Sequence, residues 1–567
     1  FILIEDLHWG DDLTVKVIEA ALRELNDLPL MVLALARPEV TDLFPKLWQN
    51  RVQTVTLRSL SRKAGERLIR QVLGSSVSEA TVNSIVEQSE GNALFLEELI
   101  RNVAEGNGDE APATVLAMLQ ARIGRLEPHV RRILRCASIF GESSWGGGIR
   151  ALFGTALHNV SFEDALRLLV RAEILELRRE SRFPGEQEYR FRHGLMRDAA
   201  YGLLADEDRI EGHQLAAEYL ESVHEQDSLV VAEHFVQGQE PARAVAYLLR
   251  AAEQLCDNGD MSGALHVAER ALVLKPDPAS RGVLLAIKTR VCVWREQYTE
   301  VLKWGHEALA LVETGSYRWC QLVQQMMPAA AFTGQIEAFF NLATMLLRTD
   351  PPAEACAPYV AATSWVSITS GIMGKRDICE LFLGRAKEVV AYCQPNDNVA
   401  IGYFHCARAN HHHVVHELPW SRVSANRDAC MMSGPSGVVR EECLANVFHA
   451  KALMDLGSVE DAEKILRTNL AWAKQINERM ALAYSQAHLA RLLARHGPPE
   501  ALDEAARLAQ ELVATNNQSI LGFGYGVLAE VARRRQDLVL AESEGRKAVA
   551  AMMRFPTYSW DIVALLT

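Results

Sequence analysis

The first hundred residues combine short apolar runs with amphipathic stretches. Residues 1–4 are continuously apolar and end at two acidic residues, and residues 30–36 form a second apolar run that ends at an arginine. Such runs are typical of buried parallel strands, and the apolar residues between them recur at helical spacing. A third strand is predicted at residues 52–57, followed by helices as far as residue 103. The pattern predicts an α/β domain, in which ligands bind beyond the carboxyl ends of the strands.

The next hundred residues change in character after a polar linker at residues 106–112. The predicted elements are helices at residues 115–126, 130–139 and 162–172, and strands at residues 174–179 and 188–192. A turn that contains Pro184 and Gly185 joins the two strands, and both residue types favour turns. Helices followed by a β-hairpin predict a winged-helix-like domain.

From about residue 230 onward the pattern is helical and repeats. Ala264, Ala271 and Pro276 follow the spacing of a tetratricopeptide repeat. An equivalent position recurs about every 40 residues, with one longer step across a weak unit near Arg422. The residues aligned at this position are Ala264, Val301, Ala338, Cys379, Ala462, Ala505 and Ala541. Mostly small residues at a fixed place let helices approach closely, so the pattern predicts an α-solenoid of roughly seven to nine helical hairpins.

The composition excludes several classes of protein. With 49% hydrophobic and 23% charged residues, the chain resembles ordinary folded proteins rather than disordered ones. A formal net charge of −13 argues against nucleic acid as a partner, because phosphate binding needs clustered Lys and Arg. The ten cysteines form no CxxC pair, which favours free thiols in a reducing, cytoplasmic compartment. No apolar run approaches the roughly 20 residues that span a bilayer, so we expect no membrane partner.

The candidate chemistry lies at the end of the first predicted strand. Glu5 and Asp6 directly follow that strand, which places two carboxylates at the edge of the sheet. Carboxylates in this position can hold Mg²⁺ through water and polarise an attacking water. The alternative is a buried strand whose terminal acids are only solvated. The segment that follows, residues 8–11 (HWGD), favours the functional interpretation because it is specific to one family.

Four motifs occur in the order expected for that family. They are FILIEDLHWGDD (1–12), LMVLALARPE (30–39), GNALFLEELIR (91–101) and FRHGLMRDAAYGLL (191–204). They resemble the Walker B segment, the sensor strand, the GNPFFLEELLR segment and the winged-helix end of AAA-type, STAND-like ATPases. In large bacterial signalling proteins, such modules are joined to a Ser/Thr kinase domain, a nucleotide cyclase domain or a DNA-binding head, usually with tetratricopeptide repeats behind.

The resemblance covers essentially the whole chain and implies three regions. Residues 1–105 correspond to the C-terminal part of an AAA/STAND P-loop NTPase domain, from Walker B onward. Residues 113–222 correspond to the winged-helix-like domain, and residues 230–567 correspond to the tetratricopeptide-like array. The fold class expected for the whole chain is therefore mainly α, with one partial α/β domain.

The same resemblance implies roles for three residues near the strand ends. Glu5 and Asp6 are the acids that hold Mg²⁺ and activate water for ATP hydrolysis. The family more often has Asp-Asp or Asp-Glu here, so the sequence leaves the division of roles between them open. Arg37, at the end of the second strand, is the residue expected to contact the γ-phosphate of ATP.

Further along the chain, the resemblance implies three more nucleotide-binding residues. His193 corresponds to the winged-helix histidine that reports the nucleotide state, and the alternative is a partly buried structural histidine at a strand end. Gly91 and Asn92 belong to the segment that approaches the nucleotide. Ala93 replaces the family's proline, which lies against the adenine, so the adenine contact is open to question.

The phosphate-binding loop of the family does not occur in this sequence. No GxxxxGK[ST] pattern is found, and the Gly374-Lys375 pair lacks the upstream glycine, the Ser or Thr and a preceding strand. Without that loop, no backbone amide nest holds the β- and γ-phosphates. The family places it upstream of Walker B, and the chain begins at Phe1 inside a strand pattern. We therefore expect the true N-terminus to lie upstream, and the chain alone to bind ATP weakly or not at all.

Two other clusters have alternative explanations. The first is a histidine-rich segment with the residues His405, Cys406, His411, His412, His413 and His416. Its histidines are more simply a solvated face of a repeat helix than metal ligands. The second is the group of wing arginines Arg178, Arg179, Arg182, Arg190 and Arg192. Winged helices often contact DNA, but in this family the domain packs on the nucleotide domain instead.

Three functions are compatible with these patterns. The first is a nucleotide-dependent switch, in which a protein or small-molecule effector bound to the array controls an attached effector domain outside this chain, such as a Ser/Thr kinase or cyclase. The second is a tetratricopeptide interaction scaffold with a vestigial ATPase. The third is an ATP-dependent transcription regulator, which requires a DNA-binding head that residues 557–567 do not resemble.

Overall fold

A computed structural model of the 567-residue chain is mostly helical. The residues that it describes are 1–25, 27–45, 47–48, 51–105, 114–154, 162–392, 397–414, 419–433, 439–475, 479–515 and 518–554. The chain divides into two compact units, Phe1–Tyr247 and Leu248–Thr567. No described helix combines the length and the apolar character needed to cross a membrane.

The first unit opens with a two-stranded parallel sheet. Strand β1 (Ile2–Ile4) pairs with β2 (Val32–Ala34), and Leu3 lies opposite Leu33. Helix α1 (Asp12–Glu24) connects the strands, and the short helix α2 (Val40–Leu43) follows them. The core beneath the sheet is small and is built around Leu7, Val15, Ile18 and Trp48. The predicted order of strand, helix and strand is therefore present.

The predicted third strand at residues 52–57 is wrong. This segment has no regular secondary structure, and Val55 and Leu57 are 73% and 87% exposed. Its sequence VQTVTL suits a strand, but β-propensity depends on packing against neighbouring strands. No strand of the described chain pairs with residues 52–57, so the β-propensity of their side chains does not produce a strand.

Three helices complete this part of the unit, where helices were predicted. They are α3 (Arg62–Leu73), α4 (Glu79–Ser89) and α5 (Ala93–Ala104). Ile69, Val82 and Leu96 belong to their shared core. The side chains of Ser61, Ser78 and Asn92 accept hydrogen bonds from backbone N–H groups of the first turns, which fixes where the helices begin.

The rest of the first unit is a mixed α and β segment. Its helices are α6 (Val115–Gly124), α7 (Pro128–Ile139), α8 (Gly146–Phe153), α9 (Phe162–Arg171), α10 (Gly194–Gly202), α11 (Asp206–Ser222) and α12 (Ser228–Gln237). Its strands are β3 (Ser143–Trp145), β4 (Leu175–Leu177) and β5 (Glu188–Phe191). The strands form an antiparallel sheet in the order β3-β5-β4, so β5 is central. The three predicted helices and two predicted strands are confirmed as elements.

Strand β3 and helix α8 were not predicted. The sequence there contains three consecutive glycines, which normally indicate a loop. In α8 the glycines permit close packing instead: a Cβ on Gly148 would lie 2.7 Å from Phe140 and 2.8 Å from Tyr219. The absence of side chains is what lets this helix fit against two aromatic rings.

A buried histidine pair connects three helices at the end of the first unit. The Nδ1 atoms of His213 (α11) and His234 (α12) lie 2.9 Å apart, so one donates a hydrogen bond to the other. The hydroxyl of Tyr201 (α10) lies 3.0 Å from the Nε2 atom of His213. Burial lowers the pKa of His213 to about 4 and that of His234 to about 3, the latter also through the neighbouring ring. Both rings are therefore neutral in the folded protein near neutral pH.

The remaining helices form a series of helical hairpins. They are α13 (Pro241–Asp257), α14 (Met261–Val273), α15 (Pro278–Trp294), α16 (Tyr298–Leu309), α17 (Tyr317–Phe332), α18 (Ile336–Leu347), α19 (Cys356–Ile372), α20 (Arg376–Val390), α21 (Asn398–Val414), α22 (Pro419–Ser433), α23 (Val439–Asp455), α24 (Val459–Gln475), α25 (Arg479–His496), α26 (Ala501–Ala514), α27 (Gln518–Arg534) and α28 (Leu538–Arg554). Taken in consecutive pairs from α13, the described helices make eight hairpins, within the predicted range. The boundary between the two units falls inside α13.

One type of turn recurs inside these hairpins. In it, a residue with positive φ follows the first helix, and the next backbone N–H donates to the carbonyl five residues back, as in a Schellman motif. The positive-φ residues are Gly259, Glu296, Gly334, Gly374, Gly457 and Gln536. Because the turn has a fixed length, it also fixes which residue of the second helix faces the first.

The geometry of these turns shows that the predicted repeat position is wrong in one unit. Ala264, Val301, Cys379 and Ala462 each lie five residues after the positive-φ residue and are fully buried. In α18 the residue five positions after Gly334 is Phe339, which is fully buried, whereas the predicted Ala338 is only partly buried. The equivalence drawn for Ala338 is therefore wrong by one residue, because a small side chain was expected where the structure has a large one.

This difference gives a testable prediction about packing in the array. We expect Ala264→Leu to lower the free energy of unfolding by about 1–3 kcal/mol, because the site has no room for extra methylenes. Ala338→Leu is expected to change it by less than about 0.5 kcal/mol, because Ala338 lines an open groove of about 700 Å³. Urea denaturation followed by circular dichroism measures both, and equal losses would contradict the corrected register.

The histidine pair gives a second prediction. The ordinary histidine pKa of 6.5 is lowered in the fold, so below pH 6.5 the unfolded chain takes up protons that the folded chain excludes. We expect the free energy of unfolding to be highest above pH 6.5 and to fall as the pH drops towards about 4. His234→Leu should weaken this slope, whereas His224→Asn, a change at an exposed histidine of the same unit, should keep it. Urea unfolding at a series of pH values tests this, and an unchanged slope in His234→Leu would refute it.

Candidate functional site

The candidate site begins where β1 ends. Glu5 is exposed and Asp6, also exposed, adopts a left-handed backbone conformation with φ of 55°. Asp is one of the few residue types that tolerate this conformation. The turn leads into a short 3-10 helix at Leu7–Trp9, so both carboxylates lie at the carboxyl edge of the sheet. The structure thus places Glu5 and Asp6 at the edge where the sequence predicted them.

His8 joins the ends of the two parallel strands. Its ring is buried, and its Nδ1 atom accepts a hydrogen bond from the backbone N–H of Arg37 at 3.3 Å. The backbone N–H of Leu7 also donates to the carbonyl of Leu35 at 2.9 Å. The Arg37 guanidinium lies 5.8 Å from the centre of the Trp9 ring, a cation–π distance. The contacts of His8 and Trp9 therefore bring Arg37 to the same edge as the two acids.

Two further details explain the HWGD segment. Asp11 caps α1, since its carboxylate accepts a hydrogen bond from the backbone N–H of Thr14 at 2.8 Å. Because Nδ1 of His8 is an acceptor, the hydrogen of the neutral ring is on Nε2, and that buried atom has no hydrogen-bond partner among the described residues. The sequence marked His8 as part of a motif but gave it no role, and its contact with Arg37 could not be read from spacing.

The central strand of the second sheet contributes a residue that sequence analysis did not assign to the site. Arg190 on β5 pairs with Glu5 at 3.4 Å and with Glu142 at 3.2 Å. In the sequence, Arg190 stands out only as one of the basic wing residues. A contact across 185 residues of sequence leaves no local pattern, so only the structure reveals it.

His193 lies three residues beyond Arg190, at the start of α10. Its backbone carbonyl accepts a hydrogen bond from the N–H of Met196 at 2.9 Å, and its side chain is half-buried. The ring makes no hydrogen bond within the described part of the chain and does not cap the helix. The strand that carries Arg190 to Glu5 thus ends two residues before this histidine.

Gly91 and Asn92 have structural roles in the turn between α4 and α5. Gly91 has a φ of 76°, and its carbonyl accepts a hydrogen bond from Leu60 at 2.9 Å. Asn92 caps α5 by accepting from the N–H of Phe95 at 3.0 Å. Within the described chain these contacts run to neighbouring segments and not to the strand-end carboxylates. Ala93 is the first residue of α5, a position where proline is also favourable because no backbone N–H is needed.

Most of the wing arginines already have carboxylate partners. Arg190 contacts Glu5 and Glu142, Arg192 contacts Glu173 at 2.9 Å, and Arg182 contacts the buried Glu225 at 2.6 Å. Arginines paired in this way have less charge to offer a phosphate backbone. These pairs agree with the expectation that nucleic acid is not a partner, which remains a prediction.

His416 of the histidine-rich segment lies outside the described residues, and the described part of the segment does not assemble a metal site. No group of three or more His, Cys, Asp or Glu side chains with metal-binding geometry occurs there. His411 is buried and His405 is partly buried, and burial lowers the pKa of His405. Those two rings are therefore part of the repeat packing rather than of a solvated face.

The described residues thus form a protein that begins with a small α/β segment and ends with an array of helical repeats. The strand ends of the α/β segment carry acidic and basic side chains. No model of a known protein family matches the sequence, and no curated protein matches it. Among solved structures, the chain is similar to a signal transduction ATPase with numerous domains (STAND) with a tetratricopeptide repeat sensor, from Pyrococcus horikoshii. The TM-score is 0.53 at 15% sequence identity, over 100% of this chain and 82% of that chain. The chain shares the overall fold of that protein.

The structural role of Gly91 can be tested directly. A Cβ at Gly91 would lie 2.7 Å from the carbonyl oxygen of Leu60, whereas one at Gly185, a turn glycine of the same unit, would meet nothing within 4 Å. Both glycines have positive φ, 76° and 83°, so each change to alanine adds backbone strain of about 1–3 kcal/mol. We expect Gly91→Ala to destabilise the protein by at least about 1 kcal/mol more than Gly185→Ala, in roughly the range of overpacking costs. Thermal unfolding of both variants measures the difference, and equal effects would show that the contact with Leu60 is unimportant.

Proposed function

We propose that this chain is part of an ATP-dependent signalling switch. The observation that carries the proposal is the convergence of Glu5, Asp6, Arg37 and Arg190 at the carboxyl edge of a parallel sheet, with His193 close in sequence to Arg190. Ligands of α/β sheets bind at that edge. The fold shared with a STAND protein that has a tetratricopeptide repeat sensor supports the same class of function.

The strand-end carboxylates suit Mg²⁺ held together with a nucleotide. Mg²⁺ usually keeps several waters and binds proteins through one or two carboxylates plus substrate phosphates. Glu5 and Asp6 provide two exposed carboxylates, and no larger ligand cluster exists among the described residues. That donor set fits a nucleotide-bound Mg²⁺ better than a metal held by protein alone. One carboxylate would hold the ion and the other would orient water.

Three groups of the chain suit the phosphates of ATP. In this proposal Arg37 contacts the γ-phosphate, and His193 contacts a phosphate from the start of α10. The Nε2–H of His8 is a buried donor without a partner in the described chain, which an oxygen at the strand edge would satisfy. Gly91 and Asn92 act on the nucleotide only through the position of α5. In this proposal the β- and γ-phosphates would be gripped by a glycine-lysine loop, which residues 1–567 do not contain.

The exposed face of the first sheet supports this assignment. Leu3, Leu33 and Leu35 are 51%, 43% and 47% exposed, and Leu3 and Leu33 are neighbours in register. Parallel sheets are normally covered on both faces. An uncovered apolar face on two short parallel strands is expected if further elements of a nucleotide-binding domain complete the sheet.

The helical array would receive the signal. We propose that a protein or small-molecule effector binds the array and shifts the equilibrium between two arrangements of the switch. The open groove between α16 and α18, lined by His306, Gln335, Glu337, Asn341 and Met345, offers polar groups for such a ligand. An attached Ser/Thr kinase or cyclase domain would be the output, as the sequence resemblance implies.

An interaction scaffold is the second candidate. It is favoured by Gly91 and Asn92, whose contacts are explained by the turn that they form, and by the loss of the family's proline at Ala93. In a scaffold, the acids at the strand end would have no effect on any activity.

The two candidates predict different outcomes for the acids. In a form of the protein with a glycine-lysine phosphate loop upstream of β1, we expect Glu5→Gln and Asp6→Asn each to lower ATP turnover by roughly 100-fold or more. Glu19→Gln, an exposed acid on α1, is the matched control and should leave turnover unchanged. Turnover is measured by phosphate release. Turnover that survives both substitutions, or that never occurs, would favour the scaffold.

A further inference from the structure

The starting observation is that one arginine is shared between two carboxylates of different segments. The Nη2 atom of Arg190 lies 3.4 Å from an oxygen of Glu5 and 3.2 Å from an oxygen of Glu142. Glu5 follows β1 of the parallel sheet, whereas Glu142 directly precedes β3 of the antiparallel sheet. Arg190 is therefore the electrostatic connection between a candidate Mg²⁺ ligand and the second sheet.

The two carboxylates differ in how much they depend on Arg190. Glu142 lies near the start of α10, since a Cβ on Gly194 would be 3.5 Å from its Oε1 atom. The start of a helix carries partial positive charge, which stabilises a nearby carboxylate. Glu5 has Asp6 as its chain neighbour, and Arg190 is its ion-pair partner in the described structure. Glu142 thus keeps a stabilising environment if Arg190 moves, while Glu5 needs a replacement cation.

We propose that Arg190 is a positioning residue that competes with a divalent cation for Glu5. Without the cation, Arg190 neutralises Glu5 and ties β5 to the end of β1. When the cation binds Glu5, the guanidinium is repelled and pairs with Glu142 alone. This inference rests on the proposed function, because it concerns the regulation of the same carboxylate.

The competition would transmit the state of the site to α10. Arg190 lies on β5, the central strand of its sheet, and His193 at the start of α10 follows three residues later. Loss of the bond to Glu5 removes one of the two ion pairs that hold the Arg190 side chain. We therefore expect the backbone of residues 188–202 to be the first segment that becomes more mobile when Arg190 is released from Glu5.

The test uses Mn²⁺ alone as the probe on the 567-residue chain, with binding followed by electron paramagnetic resonance. The Mn²⁺ concentration is carried high enough to fill a weak site, because the phosphate ligands of a nucleotide are missing. An exposed ion pair typically changes an equilibrium constant by up to about fivefold. We expect Arg190→Gln to tighten Mn²⁺ binding by about three- to fivefold. Arg190→Lys should remain near the unaltered chain, because it keeps the charge. Arg179→Gln, at an exposed arginine of the same hairpin, is the matched control and should have no effect.

A double-variant comparison shows whether the effect passes through Glu5. In a Glu5→Gln background, Arg190→Gln is expected to change Mn²⁺ affinity no further. Hydrogen–deuterium exchange gives a second readout: saturating Mg²⁺ should raise exchange in residues 188–202 of the unaltered chain, and Arg190→Gln should show the raised exchange without Mg²⁺. Circular dichroism of each variant verifies that it is folded.

Several results would overturn the inference. They are unchanged Mn²⁺ affinity in Arg190→Gln, an equal gain in the Glu5→Gln background, or no Mn²⁺ binding in any variant. A different result would refute the proposed function, namely that the form of the protein with a phosphate loop shows no ATP turnover. A chain that shows the Arg190 effect on Mn²⁺ without ATP turnover would support the competition and reject the ATPase.

Discussion

The candidate site depends on how the chain leaves its first strand. Asp6 turns the backbone through a left-handed conformation, and the ring of His8 then accepts a hydrogen bond from the backbone of Arg37. Since the ring is buried, that bond is shielded from water and holds the ends of both strands together. The positions of Glu5 and of the Arg37 guanidinium follow from it. A loose turn here would leave two exposed acids and a distant arginine with no common geometry.

The second unit depends on an equally local constraint. Its hairpins reuse one turn, in which a positive-φ residue is followed by a hydrogen bond five residues back. In five of the six described turns, the residue five positions later in the second helix is fully buried, whereas Ala541, which follows Gln536, is partly buried. Hairpins that each bury one face on their neighbours make an array whose stability is approximately the sum of many similar interfaces. Substitutions can therefore change one unit, as Phe339 does, without changing the architecture.

Sequence patterns were informative where the physical cause was local. The strand ends at Glu5 and Arg37, those helices of the first unit that were predicted, and the approximate repeat period all follow from periodicity over a few turns. The pattern failed where the outcome depended on distant partners. Residues 52–57 have strand-forming side chains but no neighbouring strand, the glycines of α8 required knowledge of the rings beside them, and Arg190 reaches Glu5 across most of the first unit. The roles assigned to the site residues rest on resemblance and on this geometry together.

The recurring turn also shows how the residues of such an array can vary while its fold persists. Four of the six positive-φ turn positions hold glycine, while Glu296 and Gln536 occupy the other two. Glycine adopts this conformation freely but makes the denatured chain more flexible, whereas a residue with a side chain restricts the denatured chain and is strained in the native turn. The native strain, about 1–2 kcal/mol, is the larger of the two effects, so glycine is the more favourable residue and Glu296 and Gln536 each leave their turn slightly less stable. An array held by many similar interfaces tolerates so small a loss in one unit, so the glycine can disappear from single turns while the architecture persists.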